Sequence, residues 1–173
     1  MLLIELILAA GCVVQRQAAQ PVAPPRARVI AAAKDVMKAS RYATLVTIGD
    51  KGQPQARIVD PAAPAPEMTI WIATNALTRK VTEIRHDPRV TLLYFNSAGG
   101  EYVTVIGTAT LVSDSAEKVR HWKPDWAPFY KRGPTGEDYL LIRVRPMRLE
   151  VVSPGRGMVS DPKTWSPVVV DIP

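Results

Sequence analysis

Four side chains in the first half of the chain have the chemistry to hold an oxyanion. Arg57 stands in a β-forming run, where its planar guanidinium can take two anion oxygens at once. Thr74 closes the run Ile70-Trp71-Ile72-Ala73-Thr74 and offers a hydroxyl. Arg79 and Lys80 follow at the start of a helical pattern, where free N–H groups also favour an anion. Each has an ordinary alternative as well: an arginine in a strand is commonly a solvated face, and neighbouring cations are common on a helix surface. Other chemistry is sparse. Cys12 is the single cysteine and His86 and His121 are the two histidines, which excludes a multi-cysteine or multi-histidine metal centre within one chain. No metal is expected. No Ser-His-Asp arrangement or catalytic carboxylate pair stands out, so no side chain is assigned as acid or base. His121, beside Trp122, reads as a solvated helix end. Trp71, Trp122, Trp126 and Trp165 read as core or interface, and Arg143, Arg145 and Arg148 as an exposed strand face, whose alternative role is a second anionic contact.

The elements that must position these groups follow from periodicity. Residues 29–40 place Val29, Ile30, Ala33, Val36 and Met37 at helical spacing. Residues 42–48 and 55–60 read as the two strands of a hairpin about Gly49-Asp50-Lys51-Gly52. Pro61, Pro64 and Pro66 then mark a loop that cannot enter a sheet interior. Residues 68–74 form a third strand. A helix capped by Asn75 runs through Arg85 with Leu77, Val81 and Ile84 on one face. A fourth strand covers 89–96 and a long fifth covers 102–112, with Val103, Val105, Gly107, Ala109 and Leu111 turned to the core. Ser113 or Asp114 caps a helix reaching Trp122. A sixth strand, 138–152, turns Leu140, Ile142 and Val144 inward and Arg143 and Arg145 outward. The last stretch, 154–173, shows little periodicity and is expected to be irregular. Six strands in hairpin order with helices in the connections predict a mainly β fold with some α: an antiparallel Greek-key barrel. No Gly-x-Gly-x-x-Gly follows a strand, so a dinucleotide-binding α/β unit has no support.

The 173 residues suffice for one ordinary domain that needs no disulfide or metal to fold. With 47% hydrophobic and 22% charged residues, wholesale disorder is excluded. A net charge of +6 suits acidic partners such as phosphates without the basic stripe of a nucleic-acid binder, and no nucleic acid is expected as a partner. Residues 1–28 differ from the rest. A short apolar run, too short to span a membrane as a helix, ends in Ala9-Ala10-Gly11-Cys12 and passes into an Ala/Pro/Gln stretch. This resembles the end of a bacterial lipoprotein signal, in which the cysteine is lipidated after cleavage. The resemblance makes Cys12 a lipidation site, residues 1–28 signal and tether, and the cell envelope the location. Leu8 sits four rather than three residues before Cys12, and no positive segment precedes the run. The alternative is an unstructured extension of a cytoplasmic protein.

Three stretches carry a second resemblance. They are residues 43–59, from Ala43-Thr44-Leu45-Val46 to Ala56-Arg57-Ile58-Val59; residues 70–84, running on to Asp87-Pro88-Arg89-Val90; and Tyr102-Val103-Thr104-Val105-Ile106-Gly107-Thr108-Ala109. In this order they resemble the FMN-binding split-barrel family typified by pyridoxamine 5′-phosphate oxidase, most closely its single-domain general stress protein branch. The resemblance covers residues 40–152. It implies a six-stranded antiparallel split β-barrel over residues 29–153, FMN as cofactor and a homodimer with flavin at the interface. It assigns the FMN phosphate to Arg57, Thr74, Arg79 and Lys80, with Ala73 beside Thr74. Ile58 and Val59 would present main chain to the ring, and Tyr102 would match a polar flavin contact. FMN would bring the redox chemistry and the protein would orient it.

The sequence departs from the family at Leu149-Glu150-Val151-Val152-Ser153-Pro154-Gly155-Arg156. The oxidase completes its site there with tryptophan, arginine and histidine, and the stress branch has an aromatic pair near Val151 and Val152. Pyridoxamine phosphate is therefore not the expected substrate. The leading expectation is a flavin-dependent oxidoreductase acting on an unknown small molecule. The alternatives are a flavin-binding stress protein without turnover and an envelope interaction module.

Overall fold

Strand alternation in the sequence becomes alternation of burial in space. The computed structural model describes residues 23–173; Cys12 and the tether before Ala23 lie outside them. β1 (Ala43–Ile48) and β2 (Pro54–Val59) form the hairpin, with Gly52 at φ 73° in its turn. β3 (Ile70–Thr74), β4 (Arg89–Asn96), β5 (Glu101–Val112) and β6 (Leu140–Val152) follow. Every pairing is antiparallel, in the order β2-β1-β4-β5-β6-β3. Pro61, just after β2, bridges Ile72 of β3, so the two edges of the curled sheet approach each other. The split β-barrel expected from the resemblance is the architecture found.

One face of the sheet makes the core. Leu45, Leu92, Val103, Val105, Ile142, Val144 and Leu149 are fully buried with Val29, Ala33, Val36 and Met37 of α1 (Arg26–Ser40), which packs on that face. Leu140, Ile142 and Val144 point inward and Arg143 and Arg145 outward, as alternation requires. The register of β5 and β6 shifts at Gly107, where a Cβ would lie 2.2 Å from the Arg145 carbonyl oxygen. Only glycine allows that approach.

Three expectations are corrected. The second helix, α2, covers Arg79–His86 and has Thr78 as its N-cap residue. Asn75 does not cap it: its side-chain oxygen accepts the Leu77 N–H at 2.9 Å, forming a local turn that leaves Leu77 94% exposed. The third helix, α3 (Ser115–Arg120), stops short of Trp122, and Asp114 caps it by accepting the Glu117 N–H at 2.9 Å. The C-terminal stretch is not wholly irregular. It supplies β7 (Val168–Asp171), which pairs with β6 off the six-stranded path of the barrel. Of the tryptophans expected in core or interface, Trp71 and Trp126 are buried and Trp165 is exposed.

Candidate functional site

A cavity of about 380 Å³ opens between β2, β3, the start of α2 and the loop that follows α3. Its cationic end is Lys80. The Lys80 Nζ donates to Thr74 Oγ1 at 3.1 Å, and Thr74 Oγ1 lies 3.0 Å from Thr78 Oγ1. Thr74 reaches this point because β3 ends there; Thr78 and Lys80 reach it because α2 starts there. Ile58, Val59 and Ala73 form an apolar wall. Tyr42, Trp126, Phe129 and Tyr130 form an aromatic one. Burial, with the nearby Asp138 charge, pushes the Tyr130 phenol up to about 12, so its hydroxyl stays protonated.

Burial, and then the neighbouring Arg57 charge, pull the Lys80 ammonium below the ordinary lysine value, against the opposing Glu83 carboxylate. A ligand anion placed at this end would favour the charged ammonium and so oppose both effects. Five of the residues singled out from sequence therefore meet here: Ile58, Val59, Ala73, Thr74 and Lys80.

The other three stand elsewhere. Arg57 Nη2 donates to Glu83 Oε2 at 2.7 Å, and its other terminal nitrogen donates to Thr47 Oγ1. Thr47 in turn donates to Glu83 Oε2 at 2.5 Å. Burial works against the Glu83 carboxylate, but the Thr47 and Arg57 hydrogen bonds and the Arg57 and Arg79 charges more than offset it and hold its pKa below the usual range. Arg57 thus borders the Lys80 end as a cation already shared with a buried carboxylate. Arg79 pairs with Glu83 Oε1 at 2.8 Å and lines a different cavity with Gln55, Thr82 and His86. Tyr102 pairs with Phe95 and Val152, at the end of β6 opposite Leu140, the partner of Thr74.

Several residues that matter here carried no clear sequence signal. Glu83 has the i,i+4 spacing to Arg79 of an ordinary surface ion pair, yet it is 5% exposed. Thr78, one turn from Thr74 in space, could have been found from its cap position. His121 is not a solvated helix end. It stacks on Trp71 with ring centroids 3.9 Å apart, and its Nε2 lies 3.2 Å from Glu117.

Comparisons with known proteins bear on the whole domain. Residues 29–153 match the family described as pyridoxamine 5′-phosphate oxidase. Among curated proteins, none matches the chain. A Clostridium acetobutylicum protein related to general stress protein 26 of Bacillus subtilis superposes with a TM-score of 0.71 at 16% identity, over 86% of this chain and 97% of that one. General stress protein 26 from Bacillus anthracis superposes with a TM-score of 0.60 at 21% identity, over 73% and 92% of the two chains. A heme-binding protein from Mycobacterium smegmatis superposes with a TM-score of 0.58 at 20% identity, over 76% and 55%. These structures share the barrel. With the family match spanning most of the sequence, the chain belongs to the pyridoxamine 5′-phosphate oxidase family.

Proposed function

We propose that the Lys80 cavity binds FMN and that the protein is a flavin-dependent oxidoreductase acting on a small molecule. The observation that carries this reading is the polarity of the cavity. Lys80, Thr74 and Thr78 gather at one end, and apolar and aromatic side chains line most of the rest, with Asp60, held by Lys123, and Asn75 as the other polar groups. That is the division a phosphorylated, flat, largely apolar cofactor requires. Lys80 and the two threonines would hold the phosphate. Ile58, Val59 and Ala73 would border the ring and keep water from it. FMN, when bound, supplies hydride transfer. The chain's own part is to bind, orient and desolvate.

The test is direct. Purified protein titrated with FMN should show saturable binding with the absorption spectrum of a bound oxidised flavin. Lys80→Met should weaken that binding roughly tenfold to a hundredfold, the size of a hydrogen bond to a charged group. Riboflavin, which lacks the phosphate, should bind wild type and variant alike. A heme Soret band in place of a flavin spectrum would transfer the reading to the ligand of the Mycobacterium smegmatis relative. Reduction of bound flavin by NADH or NADPH would separate an enzyme from a flavin-binding stress protein or an envelope interaction module.

Two further parts of the reading rest on other features. The outer face of the sheet carries a cross-strand row, Ile58–Thr44–Leu93–Thr104, with Phe95 and Tyr102 beside it. Ile58, Leu93 and Phe95 are exposed there, an apolar patch suited to a second copy of the chain. A dimer through this face would bring Tyr102 toward the flavin cavity of the neighbouring copy. Light scattering should give twice the chain mass. The lipid anchor at Cys12 would place the protein at the cell envelope, and palmitate-analogue labelling should be lost in Cys12→Ser.

A further inference from the structure

A second cavity of about 380 Å³ lies on the other side of the Asp60–Lys123 ion pair from the flavin cavity. Asp60 lines one cavity and Lys123 the other. The second is walled by Lys38 and Arg41 at the end of α1, by residues 61–64 of the proline loop, and by Lys123 and Asp125. Three cations thus line it against one carboxylate.

Two features set it apart from an ordinary basic surface. Tyr94 forms part of the lining, is 2% exposed, and its hydroxyl has no hydrogen-bond partner among the described residues. A buried donor without a partner is rare enough to call for a ligand or a water. Burial also pushes the Tyr94 phenol far up, so the group is held as an O–H donor and not as a phenolate. The second feature is Arg41, at φ 52°, a positive value that non-glycine residues seldom adopt. The backbone is strained at the residue that turns a guanidinium into the cavity, where it meets Asp125 at 3.3 Å and leaves other N–H donors available.

We infer that this cavity binds the anionic group of a small organic molecule, a carboxylate or a phosphate, through Arg41, Lys123 and the Tyr94 hydroxyl. These three groups are donors or cations, and with Lys38 the cations outnumber the Asp125 carboxylate beside them, which suits an oxyanion. The proline loop and the end of α1 supply a fixed frame around it. The inference is independent of flavin in the neighbouring cavity.

The full chain should be titrated calorimetrically with inorganic phosphate and, separately, with succinate. Saturable one-to-one binding of either is expected. Phosphate alone would identify a phosphoryl ligand, and succinate alone a carboxylate. Tyr94→Phe should weaken the binding about tenfold, as loss of a hydrogen bond to a charge does, while leaving the melting temperature unchanged or raised, because it deletes an unpaired buried hydroxyl. Arg41→Gln should weaken it at least as much. The binding should persist with FMN in excess to occupy the Lys80 end, which separates this site from the flavin cavity. Failure of both anions to saturate the protein overturns the inference. So does binding that persists undiminished in Tyr94→Phe, which would make water the partner of that hydroxyl.

Discussion

Two buried glutamates do the same local chemistry in different parts of this barrel, with different surroundings. Glu83 of α2 is held by the Thr47 hydroxyl and Arg57. Glu101 of β5 is held by the Ser153 hydroxyl at 2.5 Å, by Arg156, and by the Asn96 amide at 2.9 Å. Each is a carboxylate, a hydroxyl and a guanidinium in contact, and both carboxylates sit below their ordinary pKa. For Glu101 the Ser153 hydrogen bond is the largest cause, followed by opposing burial and then by Asn96 and Arg156. The difference lies beyond the triads. Arg156 also reaches Asp35 of α1 at 3.4 Å and accepts Arg28 at its carbonyl, so the Glu101 group ties the chain after β6 to the first helix. The Glu83 group has Lys80 next to it, and Lys80 lines the cavity between β2, β3 and α2. The same constellation therefore serves as a clasp in one place and as the electrostatic backing of a ligand site in the other.

The largest effect should come from removing the carboxylates. Breaking a buried pair leaves an uncompensated charge, at a cost of several kcal/mol. Arg57 is 17% exposed and Arg156 37%, so water can rescue Arg156 better. Glu83→Gln should cost about 3 kcal/mol and Glu101→Gln about 2 kcal/mol in urea unfolding. Only Glu83→Gln should also change FMN affinity, since only it alters the charge beside Lys80. A change in FMN affinity in Glu101→Gln would erase the distinction between clasp and site. Acid should reproduce the stability loss. A depressed carboxylate pKa contributes stability that is present above the unfolded-state value and lost as pH falls through the folded one. The wild-type stability curve should therefore fall below the ordinary glutamate range, and each variant should flatten part of that fall.

The contrast also explains what the sequence made legible. Alternation along residues 102–112 and 138–152 places the core face correctly, because a half-buried strand writes its environment into every second residue. The Lys80 end was readable because Thr74 and Lys80 flank one strand-to-helix connection and are close in sequence. Glu83 was not: its partners Arg57 and Thr47 are 26 and 36 residues away, and only the hairpin brings them under α2. The clasp was invisible for the same reason, with Ser153 lying 52 residues from Glu101. β7 escaped because Val168, Val169 and Val170 are a short apolar run with no alternation between prolines, and its strand state comes from pairing with β6 and from Arg26, which donates to the Asp171 carbonyl at 3.1 Å. Asn75 misled because a capping residue type and an Asx-turn residue type are identical.

A smaller effect should separate the two groups by pH. Lys80 is pulled below the ordinary lysine value by burial and Arg57, and a bound phosphate would restore its charge. FMN binding should then take up protons as pH rises toward the free-state Lys80 value, so affinity is highest below that value and is lost above it. Loss of Lys80 in Lys80→Met should remove this dependence, whereas Glu101→Gln should leave it intact. Calorimetry in two buffers of different ionisation enthalpy measures the proton uptake. No uptake in the wild type would mean that the phosphate does not meet Lys80.

The smallest expected effect tests whether the two triads are equivalent at their shared element, the hydroxyl. Thr47→Val and Ser153→Ala each delete one charge-assisted donor to a buried carboxylate, and each should cost about 1–2 kcal/mol if the geometry alone decides. Both hydroxyls also accept from the paired arginine, Thr47 Oγ1 from Arg57 and Ser153 Oγ from Arg156 at 3.3 Å, so each loss frees a guanidinium as well as a carboxylate. Ser153 keeps company with Asn96, whose amide continues to donate to Glu101 after the hydroxyl is gone. Thr47→Val should therefore cost more than Ser153→Ala and should alter FMN affinity, while Ser153→Ala should leave it unchanged. Equal costs with no effect on flavin from either would show that Arg57 is held by Glu83 alone, and that the backing of the cavity needs only the carboxylate.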